Sequence, residues 1–270
     1  MKYGIFVALA VLATAIAIMN HTEKPVSYAD KLRKIAEQVN SSNTTWRAEV
    51  PSQFLEVSQE QLKRINGLLF SEPPADMPTL NYSEEEIANA PASFDSREKW
   101  PSCTSISEIR DQSACGSCWA FGAAEAMSDR ICIGSNQQKQ TRVSTADLVS
   151  CCMSCGQGCN GGYLYPTWMY WKFSGIVSGD LYNDKNTCKP YPFAPCAHHT
   201  TSQTYPPCPS QEYPTPSCKR ECVAGYPKSY QQDKSFAKHV YNINGAGNMA
   251  TEISTNGPIE GAFTRSEERR

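Results

Sequence analysis

The sequence has no excess of basic charge and few histidines. Its 270 residues carry 25 Lys and Arg against 27 Asp and Glu, which gives a formal net charge of −2. Because nucleic-acid-binding surfaces are strongly basic, this balance argues against nucleic acid as a partner. None of the four histidines lies among the closely spaced cysteines of residues 151–159, as a mixed zinc site would need, so we expect no metal and no cofactor. They are His21, His198, His199 and His239.

The sequence also lacks an apolar run long enough for a typical membrane span. The run Gly4–Met19 follows Lys2 and falls short of the ~20 residues that a spanning helix needs. Ala15 and Ala17 offer an A-x-A-like cleavage site. We predict a secretory signal peptide over residues 1–19, with a membrane anchor as the alternative. The predicted location is the secretory pathway, lysosomal or extracellular, with no membrane attachment after cleavage.

No cysteine occurs before Cys103 or after Cys222, yet the stretch from Cys103 to Cys222 contains 13, these two included. In an exported chain this density predicts a disulfide framework, and the odd count leaves one thiol over. The alternative is a zinc cluster. Two observations are unfavourable for it: an exported chain enters an oxidising compartment, and no histidine lies among the four cysteines. Its four cysteines would be Cys151, Cys152, Cys155 and Cys159.

The segment before the cysteine-rich body differs in composition and predicts a propeptide over residues 20–90. Tyr28–Val39 and Gln59–Phe70 both carry apolar residues at helical spacing. Ser71–Pro78 is Pro-rich and acidic, the composition of a linker. A signal, a helical segment, a linker and a cysteine-rich body are the layout of a zymogen. N-glycosylation sequons begin at Asn40, Asn43 and Asn81.

The body begins near Pro91 and opens with predicted helices. Gly116–Cys132 contains good helix formers without proline, and Asp147–Cys152 predicts a second, shorter helix. Cys155–Gly162 must be a loop because of its glycines. Further along, we expect a surface strand that contains His239 and another strand near Ile259–Phe263.

The stretch QSACGSCW, Gln112–Trp119, carries the chemistry. Cys118 lies where a loop meets a predicted helix N-terminus, whose unpaired N–H groups and dipole favour a thiolate. The Gln112 side chain, six residues earlier, could donate beside the Cys118 N–H to a tetrahedral oxyanion. The alternative interpretation is a tight disulfide loop with one spare cysteine.

These residues resemble the catalytic segment of the papain family of cysteine peptidases, and in particular its cathepsin B group. The match runs from Pro91 to Thr264. It includes Phe94-Asp95, Ile109–Gln112, Cys115–Gly122, Ser128–Cys132, Cys159–Gly162, Cys196–His199 and Asn256–Phe263.

The resemblance implies an α+β fold with a helical left domain and a β-barrel right domain, here incomplete, over residues 91–264. It implies thiol-dependent peptide hydrolysis, as an endopeptidase and a peptidyl-dipeptidase, without a cofactor. Implied partners are peptide or protein substrates, the chain's own propeptide and cystatin-like inhibitors.

The resemblance also implies a disulfide pairing that leaves Cys118 free. The implied pairs are Cys103–Cys132, Cys115–Cys159, Cys151–Cys218, Cys152–Cys155, Cys188–Cys222 and Cys196–Cys208.

Two substrate-binding features follow from the same resemblance. Asn160, Gly161 and Gly162 would form a wall of the substrate cleft, where glycine lets a peptide backbone approach closely. His198 and His199 would lie in an occluding loop and receive a substrate's C-terminal carboxylate, with His198 tied to Asp111.

The family continues after Thr264 with a catalytic histidine in Gly-Gly-His-Ala and an asparagine in Asn-Ser-Trp. Residues 265–270 instead read RSEERR, a divergent tail. His239 lacks the Gly-Gly-His context, so we expect this chain to lack the catalytic histidine and asparagine and to be inactive as it stands. One alternative function is a decoy that binds peptides or inhibitors. Another is a thiol oxidoreductase, which would need Cys115 and Cys118 both free.

Overall fold

The computed structural model describes residues 27–50, 66–179, 181–197, 204–209 and 211–262. The predicted signal peptide, residues 1–19, and the tail, residues 265–270, lie outside these ranges. The chain divides into two compact units, Met1–Gln59 and Glu60–Arg270. The boundary falls inside the predicted propeptide, so its last part belongs to the same unit as the cysteine-rich body.

The first unit contains the predicted amphipathic helix. Helix α1 spans Tyr28–Ser41, which confirms the helix expected over Tyr28–Val39. The Ser27 side chain caps it by accepting from the Asp30 N–H, at 3.1 Å. No residue of α1 is buried within the described chain.

The second unit is mainly helical in its described part. Its helices are α2 (Glu84–Ala88), α3 (Ser96–Lys99), a 3-10 turn (Thr104–Ser107), α4 (Cys118–Gly134), α5 (Thr145–Cys151), α6 (Leu164–Phe173) and α7 (Ala246–Asn256). Two short parallel strands, β1 (Thr79–Leu80) and β2 (Asn242–Ile243), pair Thr79 with Asn242 and Leu80 with Ile243. Within the described ranges, no helix is long and apolar enough to span a bilayer.

Helix α4 forms the centre of the core. Trp119 and Met127 on α4 are buried against Leu148 of α5 and Trp171 of α6. Three fully buried alanines of α4 leave room for the neighbouring helices to pack closely; they are Ala120, Ala123 and Ala124. The helix that carries the candidate nucleophile is therefore held rigidly from several sides.

The predicted helices of the body are confirmed, with α4 and α5 shifted by about two residues from the expected bounds. The helical expectation for Gln59–Phe70 is wrong where it can be checked, because residues 66–70 are extended. The Asn66-Gly67 pair interrupts the helical pattern, and the backbone there bonds to another loop instead. Residues 51–65 lie outside the described ranges.

The strand expectations were also only partly right. His239 is exposed in irregular structure, and the strand near it is only Asn242–Ile243. Residues 259–262 form no strand. Helices α6 and α7 were not predicted from the sequence. Helix α6 is rich in aromatic residues and has Pro166 in its first turn, where the missing N–H costs no helical bond.

Six disulfides join the cysteines of the body. They are Cys103–Cys132, Cys115–Cys159, Cys151–Cys218, Cys152–Cys155, Cys188–Cys222 and Cys196–Cys208, the pairs that the resemblance implies. All four cysteines of the alternative zinc cluster are therefore bridged. Cys115 is bridged as well, so the pair of free thiols that an oxidoreductase needs is not present.

A buried carboxylate joins α4, α7 and the segment before α2. The Glu252 side chain is fully buried; its Oε1 accepts from Arg130 and Tyr241, each at 2.6 Å. Its Oε2 accepts from the Tyr82 hydroxyl at 2.5 Å and the Asn256 amide at 2.9 Å. Burial alone would raise the pKa of Glu252, but these hydrogen bonds outweigh it and lower the pKa below the ordinary 4.5.

Replacing Glu252 by alanine should strongly destabilise the second unit, because Arg130 and two tyrosine hydroxyls lose a buried partner. We expect a loss of about 3–5 kcal/mol in the free energy of unfolding at pH 7, measured by urea denaturation. Because the folded pKa is lowered, this contribution is present above pH 4.5 and is lost as the pH falls through the lowered value.

Glu85→Ala, on the exposed surface of α2, is the matched control and should cost less than about 1 kcal/mol. Equal losses for the two variants at pH 7 would contradict the assigned role of Glu252.

Candidate active site around Cys118

Cys118 is the first residue of α4 and is the one free cysteine, half-buried, among the described residues. Ser117 precedes it as the N-cap residue and makes no side-chain capping bond. Ser117 therefore leaves the first backbone N–H groups of α4 without a capping acceptor from the N-cap residue, which favours an anion at the Cys118 sulfur.

Burial nevertheless dominates the pKa of the Cys118 thiol. Burial raises this pKa above the ordinary 9.0, and the carboxylate of Glu260 raises it further. Backbone N–H groups of Gly67 and Trp119 lower it, but not enough to offset burial. In this arrangement the thiol stays protonated at neutral pH, since no cation stands beside it in the described chain.

Tyr191 fixes the loop that leads to the nucleophile. Its hydroxyl donates to the Gln112 carbonyl at 2.8 Å and lies 3.0 Å from the Ser117 hydroxyl. Its ring is buried and meets Phe121 edge to face, with centroids 4.9 Å apart. One buried side chain, Tyr191, thus holds both the backbone of Gln112, the predicted oxyanion donor, and Ser117, the residue before Cys118.

The loop of Asn160, Gly161 and Gly162 lies beside the loop that leads to Cys118; its role as a cleft wall stays a prediction. The Cys115–Cys159 bridge joins the two loops, and the Gly116 N–H donates to the Cys159 carbonyl at 2.8 Å. A Cβ on Gly162 would come within 2.4 Å of the Trp119 ring, so only glycine fits. Gly161 has φ +111°, which also favours glycine, and Asn160 is exposed.

Residues 66–70 pack against both of these loops. The Gly162 N–H donates to the Gly67 carbonyl and the Leu69 N–H to the Gly162 carbonyl, each at 2.8 Å. Leu68 and Gly162 form a parallel β-bridge. A Cβ on Gly67 would come within 1.8 Å of the Gly116 carbonyl oxygen. The backbone of this segment therefore pairs with Gly162 through main-chain hydrogen bonds. A peptide that binds as an extra β-strand uses bonds of the same kind.

The base of the predicted occluding loop is anchored near the same site. Its closing bridge is Cys196–Cys208, and the Ala197 N–H donates to the Pro206 carbonyl at 2.7 Å. The Cys196 sulfur lies 3.5 Å from the Ser113 hydroxyl, next to Gln112. His198 and His199 lie outside the described residues, so their contact with a substrate carboxylate stays a prediction.

Glu260 was not singled out from the sequence. The Trp168 indole N–H donates to it at 2.6 Å, and its carboxylate stands over Gly122 on α4. Burial raises the pKa of Glu260 to about 8, against the lowering effect of the Trp168 hydrogen bond.

Gly67 and Tyr191 were missed as well. The Asn66-Gly67 dipeptide is the signal that could have revealed the break at Gly67. No local pattern marks Tyr191 or Glu260, because both act through residues far away in sequence.

The chain is similar in sequence to known cysteine proteases. Residues 90–269 match the model of the papain family cysteine protease. Cathepsin B-like cysteine proteinase 6 of Caenorhabditis elegans is 41% identical over 283 residues, covering 97% of this chain and 74% of that protein. Cathepsin B-like cysteine proteinase 4 of the same organism is 38% identical and covers 99% and 78%.

A solved structure is also similar. Procathepsin B S9 from Trypanosoma congolense superposes with a TM-score of 0.65 at 30% identity, covering 86% of this chain and 70% of that one. This likeness confirms the predicted papain-like α+β fold, to which the described residues contribute mainly helices. With the family match over two thirds of its length, the chain belongs to the papain family of cysteine proteases, and the relatives it resembles are cathepsin B-like.

Proposed function

We propose that this chain derives from the zymogen of a cathepsin B-like peptidase, with Cys118 as nucleophile and residues 66–70 closing the cleft. The observation that carries the proposal is the position of the Gly67 backbone. Its N–H bonds to the Cys118 sulfur, and its carbonyl accepts from the Gly162 N–H. In peptide hydrolysis the Cys118 thiolate attacks the scissile carbonyl carbon. The Gln112 amide and the Cys118 N–H then stabilise the oxyanion.

The proton transfer needs a base, which in the family is the histidine of a Gly-Gly-His-Ala segment. No such segment, and no Asn-Ser-Trp, occurs in residues 1–270. We therefore propose that this polypeptide by itself lacks peptidase activity. The alternative function is a decoy that binds peptides or inhibitors. It is supported by the main-chain groups of Gly162, which can pair with an extended strand.

The remaining proposals concern processing and partners. Residues 1–19 act as signal and residues 20–90 as propeptide, and the exposed linker Ser71–Pro78 is open to cleavage. The product would be secreted or lysosomal, with glycans on the sequons. Its partners would be peptide substrates, its own propeptide and cystatin-like inhibitors. His198 and His199 would bind the C-terminal carboxylate of a substrate.

Replacing Gly67 by valine should lift the closing segment from the groove, because the new side chain would overlap the Gly116 carbonyl. We expect alkylation of Cys118 by iodoacetamide at pH 8 to become roughly tenfold faster. In the unchanged chain the segment must first open, at a free-energy cost of more than ~1.4 kcal/mol, and the variant no longer needs this step. Mass spectrometry of the Cys118 peptide gives the rate. Gly261→Ala is the control, since a Cβ there meets no atom within 4 Å. An unchanged rate in Gly67→Val would show that the segment does not shield the thiol.

The pH dependence of this alkylation tests the state of the nucleophile. Since the pKa of Cys118 is raised, the thiolate fraction is small at pH 7 and grows as the pH approaches the raised value. We expect the rate in the unchanged chain to climb steadily from pH 6 to pH 9 and to stay below that of a free-cysteine peptide at pH 7. A rate that is already constant below pH 7 would contradict this, because it would require a cation beside the thiol.

Residues 91–270, produced without the propeptide, should not hydrolyse a fluorogenic dipeptide substrate. Loss of one member of a nucleophile–base pair costs on the order of 10⁴-fold or more in rate. Turnover above background that disappears in Cys118→Ala would overturn the proposed inactivity. Saturable binding of the same peptide without turnover would favour the decoy function.

A further inference from the structure

A small polar pocket lies at the end of α6, formed with the segment that follows Cys218. Its volume is about 230 Å³. The lining residues are Tyr170, Ser174, Arg220, Gln231 and Lys234. Each of these side chains carries a hydrogen-bond donor, and none is a carboxylate. The volume is below the range of sites for drug-sized ligands, so a small polar ligand fits it best.

Asp147, a buried carboxylate close to this pocket, is already neutralised. Asp147 is fully buried; it pairs with Lys189 at 3.1 Å and accepts from the Tyr230 hydroxyl at 2.8 Å. Burial lowers the pKa of Lys189, Asp147 raises it, and the positive charge of Arg220 lowers it again. The repulsion between Arg220 and Lys189 shows that Arg220 lies near the Lys189–Asp147 ion pair. The negative charge of Asp147 is already balanced by Lys189, so Arg220 adds an excess positive charge.

The two cations that line the pocket have no acidic partner in the described chain. Arg220 forms neither a hydrogen bond nor an ion pair with any described residue. Lys234 donates to the neutral carbonyl of Ser174 at the C-terminal end of α6, at 2.6 Å, and stands 5.1 Å from the centroid of the Tyr230 ring. Both charges are therefore available to an anion that enters the pocket.

The acidic neighbours of these cations are used elsewhere or exposed. Asp233 accepts from Ser178 and Tyr226 at 2.6 Å each and pairs with Lys228 at 3.6 Å. Glu221, next to Arg220, is exposed to solvent and does not line the pocket. The pocket thus keeps a positive balance although the whole chain carries a net charge of −2.

We propose that this pocket binds a tetrahedral oxyanion, a phosphate or sulfate group, held by Arg220 and Lys234. The planar guanidinium of Arg220 can bind two oxygens at once, and the ammonium of Lys234 can bind a third. The Tyr170 hydroxyl and the Gln231 amide supply neutral donors. None of the five lining residues belongs to the site around Cys118, so the binding does not depend on the proposed peptidase function.

Isothermal titration of the full chain with inorganic phosphate tests the proposal, in chloride buffer at pH 7 and constant ionic strength. We expect saturable binding that weakens at least about tenfold in Arg220→Gln and in Lys234→Gln, since each loses a charge-assisted contact. Lys172→Gln is the matched control: it removes the same charge from α6 but does not line the pocket. Its affinity should equal that of the unchanged chain.

Glucose 6-phosphate, glucose 6-sulfate and free sulfate identify the source of the anion. Tighter binding of the sugar esters than of the free ions would indicate an esterified ligand, and the reverse would indicate a free ion. Because Lys234 also caps α6, thermal unfolding of each variant shows whether the fold is kept, and Arg220→Gln does not share this role. No saturable heat with any of these anions, or equal weakening in all three lysine and arginine variants, would overturn the proposal.

Discussion

The close contact between the loop Gln112–Ser117, which leads to Cys118, and the loop of Asn160, Gly161 and Gly162 is the constraint on which the proposed cleft depends. The Cys115–Cys159 bridge and the bond from Gly116 to the Cys159 carbonyl hold the two loops together. Trp119 fills the space behind them and donates to the Gly158 carbonyl at 3.1 Å. Any side chain at Gly162 would overlap this ring, so the groove can exist only with glycine at that position.

The same constraint explains which parts of the site could be predicted. The free cysteine and its helix follow from local signals, namely a cysteine at a loop–helix junction and a run of good helix formers without proline. The loop of Asn160, Gly161 and Gly162 follows from a short motif, and its role as a cleft wall stays a prediction. Tyr191 could not be found in this way, because its role depends on hydrogen bonds to residues 79 and 74 positions away in sequence.

Secondary structure was mispredicted where tertiary contacts override local preference. Residues 66–70 have apolar spacing that suits a helix, but their backbone groups bond to Gly162 instead. Helix α6 is the opposite case, since its aromatic residues have modest helix propensity. Burial of Trp171 in the core and the hydrogen bond from Trp168 to Glu260 compensate for this.

The electrostatics of Cys118 show two opposing influences on one atom. The N-terminus of α4 favours the thiolate, whereas burial and Glu260 disfavour it, and the net effect is a raised pKa. A helix N-terminus alone therefore does not activate this nucleophile. The imidazolium that the family places beside the thiol would reverse the balance, which is why the base matters for the charge of the cysteine as well as for proton transfer.

The orientation of Gly67 gives a physical reason why residues 66–70, in their proposed closing role, would not be cut. Its N–H group bonds to the Cys118 sulfur, while its carbonyl oxygen is taken by the Gly162 N–H. A scissile carbonyl must instead present its carbon to the sulfur and its oxygen to the proposed oxyanion donors at Gln112 and Cys118. Gly67 uses the groove's main-chain bonds but turns the wrong group toward the nucleophile. The affinity that holds the segment in place thus does not lower the barrier to its hydrolysis.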